Sequence, residues 1–163
     1  MRITNLSLSE LMELPLPAIY LQKRLCFRPS PRFLHHTFEL INHTIFNNEL
    51  KKPKLELHSN CRKYWGVCMG NLTTIRSGSY CHIVLMDKFF CAQWFITTLA
   101  HEMVHQYQWD ILGPMREEDG KNWLMSHGPS FFNFRNTLHE NNISLKTAHS
   151  QRRWFKHQDL FKC

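Results

Sequence analysis

The chain has 163 residues and a formal net charge of +7. Hydrophobic residues make up 43% of it and charged residues 20%, which excludes a largely disordered chain and predicts one domain with a real core rather than two. The basic balance favours a polyanionic partner such as nucleic acid, although a basic protein without such a partner has the same composition.

The six cysteines form no C-x-x-C pair, and the N-terminal apolar stretch contains Glu10 and Glu13, which does not fit a signal peptide. No run reaches the roughly 18 apolar residues of a transmembrane helix. We therefore expect free thiols in a reducing compartment, no membrane partner, and a cytoplasmic, nucleoid or nuclear location rather than secretion. The oligomeric state is left open.

Two helices are predicted in the first third of the chain. We predict that residues 1–30 form an accessory segment. A short helix is expected in SLSELMEL, capped by Ser7 or Ser9, and the prolines that follow it interrupt regular structure. From Pro31, apolar residues at helical spacing predict an amphipathic helix that ends at NNEL; they are Leu34, Phe38, Ile41 and Ile45.

Three strand-like segments follow, at 54–59, 63–70 and 80–87. The links between them are short, and short links favour antiparallel pairing because parallel strands need a crossover connection. The expected fold class is therefore α+β, with helices packed on a small three-stranded antiparallel sheet.

A helix predicted at about 88–109 contains the sequence LAHEMVHQYQ. Residues four apart lie one above the other on a helix, so His101 and His105 share a face. Two imidazoles at this spacing can bind one zinc ion, and Glu102 beside them is placed to act as the general base. The alternative is two surface histidines on an amphipathic helix; the helical context and a suitable third ligand, taken together, disfavour it.

A catalytic zinc site needs a third protein ligand. The metzincin pattern is excluded, because Gln108 and Ile111 stand where it has glycine and histidine. His127 is the better candidate, because the Gly-Pro step in SHGPSF makes a tight entry into the last predicted helix. The acidic alternatives, most of them in a charged run typical of a solvated loop, are Glu117, Glu118, Asp119 and Glu140.

Two stretches combine positive charge with aromatic rings, which suits phosphate contacts and base stacking. The first is CRKYW, with Arg62, Lys63 and Trp65, and the second lies in the C-terminal tail. The tail residues of interest are Arg152, Arg153, Trp154 and Lys156. For each stretch, an ordinary solvated segment with a core aromatic residue is the alternative.

The chain resembles the SprT-like family, which includes the Spartan-type DNA-associated metalloproteases. The resemblance rests on FELINHTIFNNELKKPKLEL, HIVLM, TTLAHEMVHQYQ and SHGPSFFNFRNTL, in that order. These stretches cover about 38–140, and the resemblance implies a minimal zincin-like fold. We place this domain at 31–145, followed by a tail at 146–163 that is basic and aromatic by composition. The resemblance also implies one zinc ion held by His101, His105 and His127, with Glu102 as catalytic acid and base.

The resemblance further implies a protein substrate that is bound or crosslinked to DNA, as in DNA–protein crosslink repair. Many members carry a C-terminal zinc ribbon, which we do not expect here because only Cys163 follows Cys91. We therefore expect DNA binding to be weak and independent of sequence.

Three hypotheses follow. The first is a zinc endopeptidase in which the strand at 80–87 offers its edge to an extended substrate. The second is a zinc-stabilised nucleic-acid-binding or regulatory module with little proteolysis, which the intact Glu102 disfavours. The third is a metal-free interaction protein, which copurification of one equivalent of zinc would exclude.

Overall fold

The computed structural model describes residues 6–14, 27–59, 64–113 and 127–147. In chain order these residues form helix α1 (Leu8–Met12), helix α2 (Pro31–Phe46), strands β1 (Lys54–His58), β2 (Gly66–Gly70) and β3 (Cys81–Met86), and helices α3 (Ala92–Asp110), α4 (Pro129–Phe132) and α5 (Arg135–Glu140). The predicted last helix is thus divided into α4 and α5.

The first two helices begin at side-chain caps that the sequence indicates. Ser7, and not Ser9, caps α1, and it forms a capping box with Glu10. Ser30 caps α2 by accepting a hydrogen bond from the backbone N–H of Phe33 (3.1 Å), and Pro31 occupies the first helical position. These local interactions explain why the predicted starts of both helices are correct.

Helix α3 begins later than residue 88, because the backbone at Phe89 is extended. Phe27 and Phe89 form an isolated antiparallel bridge, in which each backbone N–H donates to the carbonyl of the other residue at 3.0 and 2.8 Å. A residue held in a bridge cannot join the helical hydrogen-bond pattern, so the helix begins at Ala92.

The sheet has the order β1–β3–β2, with β2 antiparallel and β1 parallel to β3. The prediction of a fully antiparallel sheet was wrong. It assumed that strands adjacent in the chain pair with each other, whereas β2 and its flanking loops together form the crossover connection between β1 and β3. β3 also lies in the centre of the sheet, so it has no open edge to offer a peptide, and β2 is an edge strand.

The core lies between one face of the sheet and helices α2 and α3. Helix α1 packs against both helices and contributes Leu8, Leu11 and Met12 to the same core. The amide of Gln93 on α3 also donates to the backbone carbonyl of Leu14 (2.6 Å). The described part of segment 1–30 therefore packs into the domain. The predicted domain boundaries remain predictions. Most of the predicted tail, 146–163, lies outside the described residues.

Close packing of β2 against α3 depends on two glycines. A methyl group at Gly66 would lie 2.9 Å from Cγ2 of Thr98 and 3.0 Å from Cγ of Glu102, and one at Gly70 would overlap the indole ring of Trp109. Because neither glycine has a side chain, the helix approaches the strand closely enough to bring Glu102 against β2.

Candidate metal centre

Three histidine side chains from two separate parts of the chain converge on one point. Nε2 of His101 lies 3.2 Å from Nε2 of His105 and 3.3 Å from Nε2 of His127. Among the described residues, these three form the one group of potential ligands close enough to hold a metal ion. His101 and His105 are one turn apart on α3, as predicted, and His127 precedes α4.

The spacing of these nitrogens fits a tetrahedral zinc site. With Zn–N distances of about 2.0–2.1 Å, the edge of a tetrahedron is about 3.3–3.4 Å long, close to the two separations above. A neutral imidazole has one lone pair, and lone pairs that converge at this distance repel one another unless a proton or cation lies between them. The geometry is therefore compatible with a bound metal ion.

The side chain of Phe131 supports all three histidine rings from one side. Its ring centroid lies 4.9 Å from that of His101 and 4.8 Å from those of His105 and His127, and it is fully buried. Phe131 is on α4, which begins with Pro129 at its first helical position, directly after Gly128. The tight turn predicted in SHGPSF thus places both His127 and the aromatic ring beneath it.

Burial keeps two of the histidines in the form that binds a metal. Loss of solvation lowers the pKa of His105 to about 4, and it also lowers the pKa of His127. For His105, a hydrogen bond to Gln108 opposes this shift, and the neighbouring His127 adds to it. Both imidazoles are therefore neutral at pH 7, so each keeps a lone pair for a metal ion.

Glu102 lies next to the triad and is 6% exposed. Desolvation raises its pKa to about 8, although its carboxylate accepts a hydrogen bond from the backbone N–H of Cys68 on β2, which acts in the opposite direction. A buried carboxyl group with a raised pKa beside potential metal ligands is typical of a catalytic acid or base. A nearby cation favours the ionised form, because opposite charges attract.

The sequence analysis missed the role of two residues beside the triad: Gln108, which contacts His105, and Ser130, which contacts Gln108. Nδ1 of His105 lies 2.9 Å from Oε1 of Gln108, and Nε2 of Gln108 lies 2.8 Å from Oγ of Ser130. Gln108 follows His105 by three residues and so shares its helix face, a signal that was available in the sequence. Ser130 gave no such signal, since its contact with Gln108 is made only by folding.

The other predicted ligands and nucleic-acid contacts are placed elsewhere or lie outside the described residues. Glu140 is exposed on α5 and does not join the triad. Trp65 is half-buried, with its ring 4.6 Å from that of Trp94, so it packs within the domain. Its role in nucleic-acid binding stays a prediction. The predicted site residues that lie outside the described ranges are Arg62, Lys63, Glu117, Glu118, Asp119, Arg152, Arg153, Trp154 and Lys156.

One protein-family model matches most of the chain. A protein-family model described as the SprT-like family matches residues 34–149, a range that includes the three histidines and Glu102. No curated protein matches the chain. Within the described residues, the helices are all too short or too polar to cross a membrane.

Proposed function

Because the chain belongs to the SprT-like family, we propose that it is a zinc-dependent metalloprotease that hydrolyses peptide bonds. The observation that carries this proposal is the convergence of three imidazole Nε2 atoms, with His101 at 3.2 and 3.3 Å from the other two, beside a buried glutamate. A structural zinc site usually has four protein ligands, whereas three ligands leave one position for water or substrate.

His101, His105 and His127 are the residues that would hold the ion. Zinc in such a site acts as a Lewis acid and lowers the pKa of a coordinated water molecule to about 7. Phe131 beneath the three rings and Gln108 beside His105 keep the ligand nitrogens in place. The protein thereby provides a rigid set of ligands before the ion binds.

Glu102 carries the proton in this proposal. Its carboxylate accepts a proton from the attacking water at one oxygen and passes it to the amine of the leaving peptide. The backbone N–H of Cys68 holds the carboxylate, and Gly66 leaves room for the glutamate stem between α3 and β2. The same strand therefore orients the general base.

A protein substrate is proposed to bind along β2. The sheet order leaves one edge of β2 unpaired within the described residues, and an extended peptide can add to such an edge through main-chain hydrogen bonds. β2 begins at Gly66, against Glu102, so a peptide on this strand passes close to the proposed general base. Tyr64 and Met69, which are 59% and 42% exposed, provide apolar contacts at the same strand.

DNA is proposed as a second partner, with proteins bound or crosslinked to DNA as the substrates. Support comes from the net charge of +7 and from an open cavity of about 400 Å³ lined in part by Lys52, Lys54 and Arg76. Glu39 and Glu56 pair with the two lysines, at 3.3 and 2.8 Å, so the net positive charge of the cavity rests on Arg76. Such a surface suits phosphate contacts that do not depend on sequence.

The decisive test of the enzymatic proposal is Glu102→Gln in the full chain, with Glu140→Gln as the matched control. Glu102→Gln keeps the size of the side chain but removes the base, so it is expected to retain zinc and to cleave an unfolded protein substrate at least ~10²-fold more slowly. The control removes an exposed carboxylate and should cleave at the wild-type rate. Equal cleavage by Glu102→Gln would contradict the assignment of Glu102, and wild-type protein that binds zinc without cleaving would favour a zinc-stabilised binding module.

The DNA proposal predicts binding that weakens steeply with salt. In fluorescence anisotropy titrations, the logarithm of the affinity should fall with the logarithm of salt concentration, with a slope of roughly −0.7 to −0.9 for each phosphate contact. Replacing Arg152, Arg153 and Lys156 together should weaken binding without changing zinc content. Absence of binding at ~50 mM salt would refute the DNA partner and leave the protease proposal intact.

A further inference from the structure

A buried amide connects the two parts of the chain that supply the histidines. Oε1 of Gln108 lies 2.9 Å from Nδ1 of His105, and Nε2 of the same amide donates to Oγ of Ser130 at 2.8 Å. Gln108 is 0% exposed and Ser130 is 2% exposed. The hydrogen bond to Ser130 is therefore buried and the one to His105 is partly buried, which makes their loss costly.

This contact determines which nitrogen of His105 is available to a metal ion. The Oε1 atom of a glutamine can only accept a hydrogen bond, so Nδ1 of His105 must carry the proton. The neutral ring then has its lone pair on Nε2, the nitrogen that faces His101 at 3.2 Å. Gln108 thus selects the tautomer that the metal site requires.

The second hydrogen bond extends this control to His127. Ser130 lies in α4, one residue before Phe131 and three after His127. The hydrogen bond from Gln108 therefore holds the start of α4 against α3, in addition to the packing of Phe131. Since the two ligand segments are distant in the chain, such a cross-link restricts the position of His127 relative to His105.

The neighbouring Gln106 makes a useful comparison because it faces away from the histidines. It is also 0% exposed on α3, but its amide donates to the backbone carbonyl of Lys51 (2.6 Å) and to the carboxylate of Asp110 (2.8 Å). Both glutamines are buried and hydrogen-bonded, yet only Gln108 contacts a histidine of the triad.

We propose that Gln108 is a positioning residue of the metal centre, acting on His105 through Nδ1 and on His127 through Ser130. This inference rests on the proposed function, because it assumes that the three histidines bind a metal ion. It goes beyond that function because it gives Gln108, which is not itself a ligand, an effect on the metal affinity of the site. Groups in this role typically contribute 10- to 100-fold to metal affinity.

The test compares zinc affinity in the full-length variants Gln108→Met, Gln108→Glu, Ser130→Ala and Gln106→Met, by competition with a chromogenic chelator. Gln108→Met removes the acceptor at similar volume and should lower the affinity by about 10- to 100-fold. Gln108→Glu keeps an acceptor for Nδ1 and should bind close to wild type. Ser130→Ala should show a smaller loss, and Gln106→Met none, although its thermal stability should fall.

Cobalt substitution provides a readout that a general loss of stability does not change. The visible spectrum of Co²⁺ reports ligand geometry, so it should change in Gln108→Met and stay as in wild type in Gln106→Met. If Gln108→Met does not fold, Gln108→Asn, whose amide is one methylene too short to reach both partners, is measured in its place and should show the same loss.

The proposal is overturned if Gln108→Met binds zinc within twofold of wild type, or if Gln106→Met loses as much affinity as Gln108→Met. Either result leaves the proposed function standing, since wild type would still bind zinc. Failure of wild type itself to bind zinc would instead refute the proposed metal centre, and this inference with it.

Discussion

At the scale of single residues, the candidate metal centre depends on how each imidazole is oriented. His101 and His105 point together because they are one helical turn apart. His127 reaches them from another segment, and Phe131 sets its place because its ring lies 4.8 Å from both the His127 and the His105 rings. His127, the third candidate ligand, is therefore the one whose position depends most on folding.

Replacing His127 should abolish stoichiometric zinc binding. His127→Ala leaves two ligands, which cannot complete a three-ligand site, so zinc content should fall from one per chain to well below one. His139→Ala is the matched control, because His139 is exposed on α5. Zinc is measured by atomic absorption on the purified full chain. A full equivalent of zinc in His127→Ala would show that the third ligand lies elsewhere.

At the scale of elements, the contact between β2 and α3 connects the sheet to the helix that carries His101, Glu102 and His105. Gly66 meets Glu102 near the start of β2, and Gly70 meets Trp109 at its end. The side chains of Val67 and Met69 point to the opposite face of the sheet, because side chains alternate along a strand. Strand β2 therefore presents a face without bulky side chains at both points where α3 comes closest.

Adding a single methyl group at Gly70 should disturb this contact. The new Cβ would overlap the Trp109 indole, and overpacking of this kind typically costs about 1–3 kcal/mol. We expect Gly70→Ala to lower the free energy of unfolding in urea by that amount. Met69→Ala, on the outward face, serves as the control and should cost less. Equal stability of Gly70→Ala and wild type would show that α3 can shift away from β2 freely.

At the scale of the whole molecule, two buried groups of the site link stability to pH when the protein is stripped of metal. His105 has a pKa lowered to about 4 from its ordinary 6.5, so between these values the unfolded chain binds more protons and stability rises with pH. Glu102 has a pKa raised to about 8 from 4.5, so the folded chain binds more protons there and stability falls with pH. Of these two effects, only the loss of stability caused by Glu102 remains above pH 6.5.

The metal-free protein should therefore lose stability as the pH rises from about 6.5 to 8. The loss is on the order of 2 kcal/mol, since one pKa unit corresponds to about 1.4 kcal/mol. It should be absent in Glu102→Gln, which has no carboxyl group to ionise. Urea unfolding at several pH values in the presence of a chelator measures it. The same slope in wild type and Glu102→Gln would assign the effect to other groups.

Much of the fold could be predicted from the sequence because its signals are local. The starts of α1 and α2 follow from Ser7 and Ser30, whose side chains act within three residues. The spacing of His101 and His105 places them on one helix face for the same reason. The pairing of β1 with β3 could not be predicted in this way, because it depends on contacts between segments separated by a whole strand.

By itself, the sequence determined the helical His101–Glu102–His105 arrangement, the turn before α4, and membership of the SprT-like family over residues 34–149. Only the tertiary structure decided that β1 runs parallel to β3 and that Gln108 bridges His105 to Ser130. Helix periodicity and capping involve residues within about four positions of each other. Strand order and buried cross-links depend on which distant surfaces exclude water together, and a local pattern does not specify that.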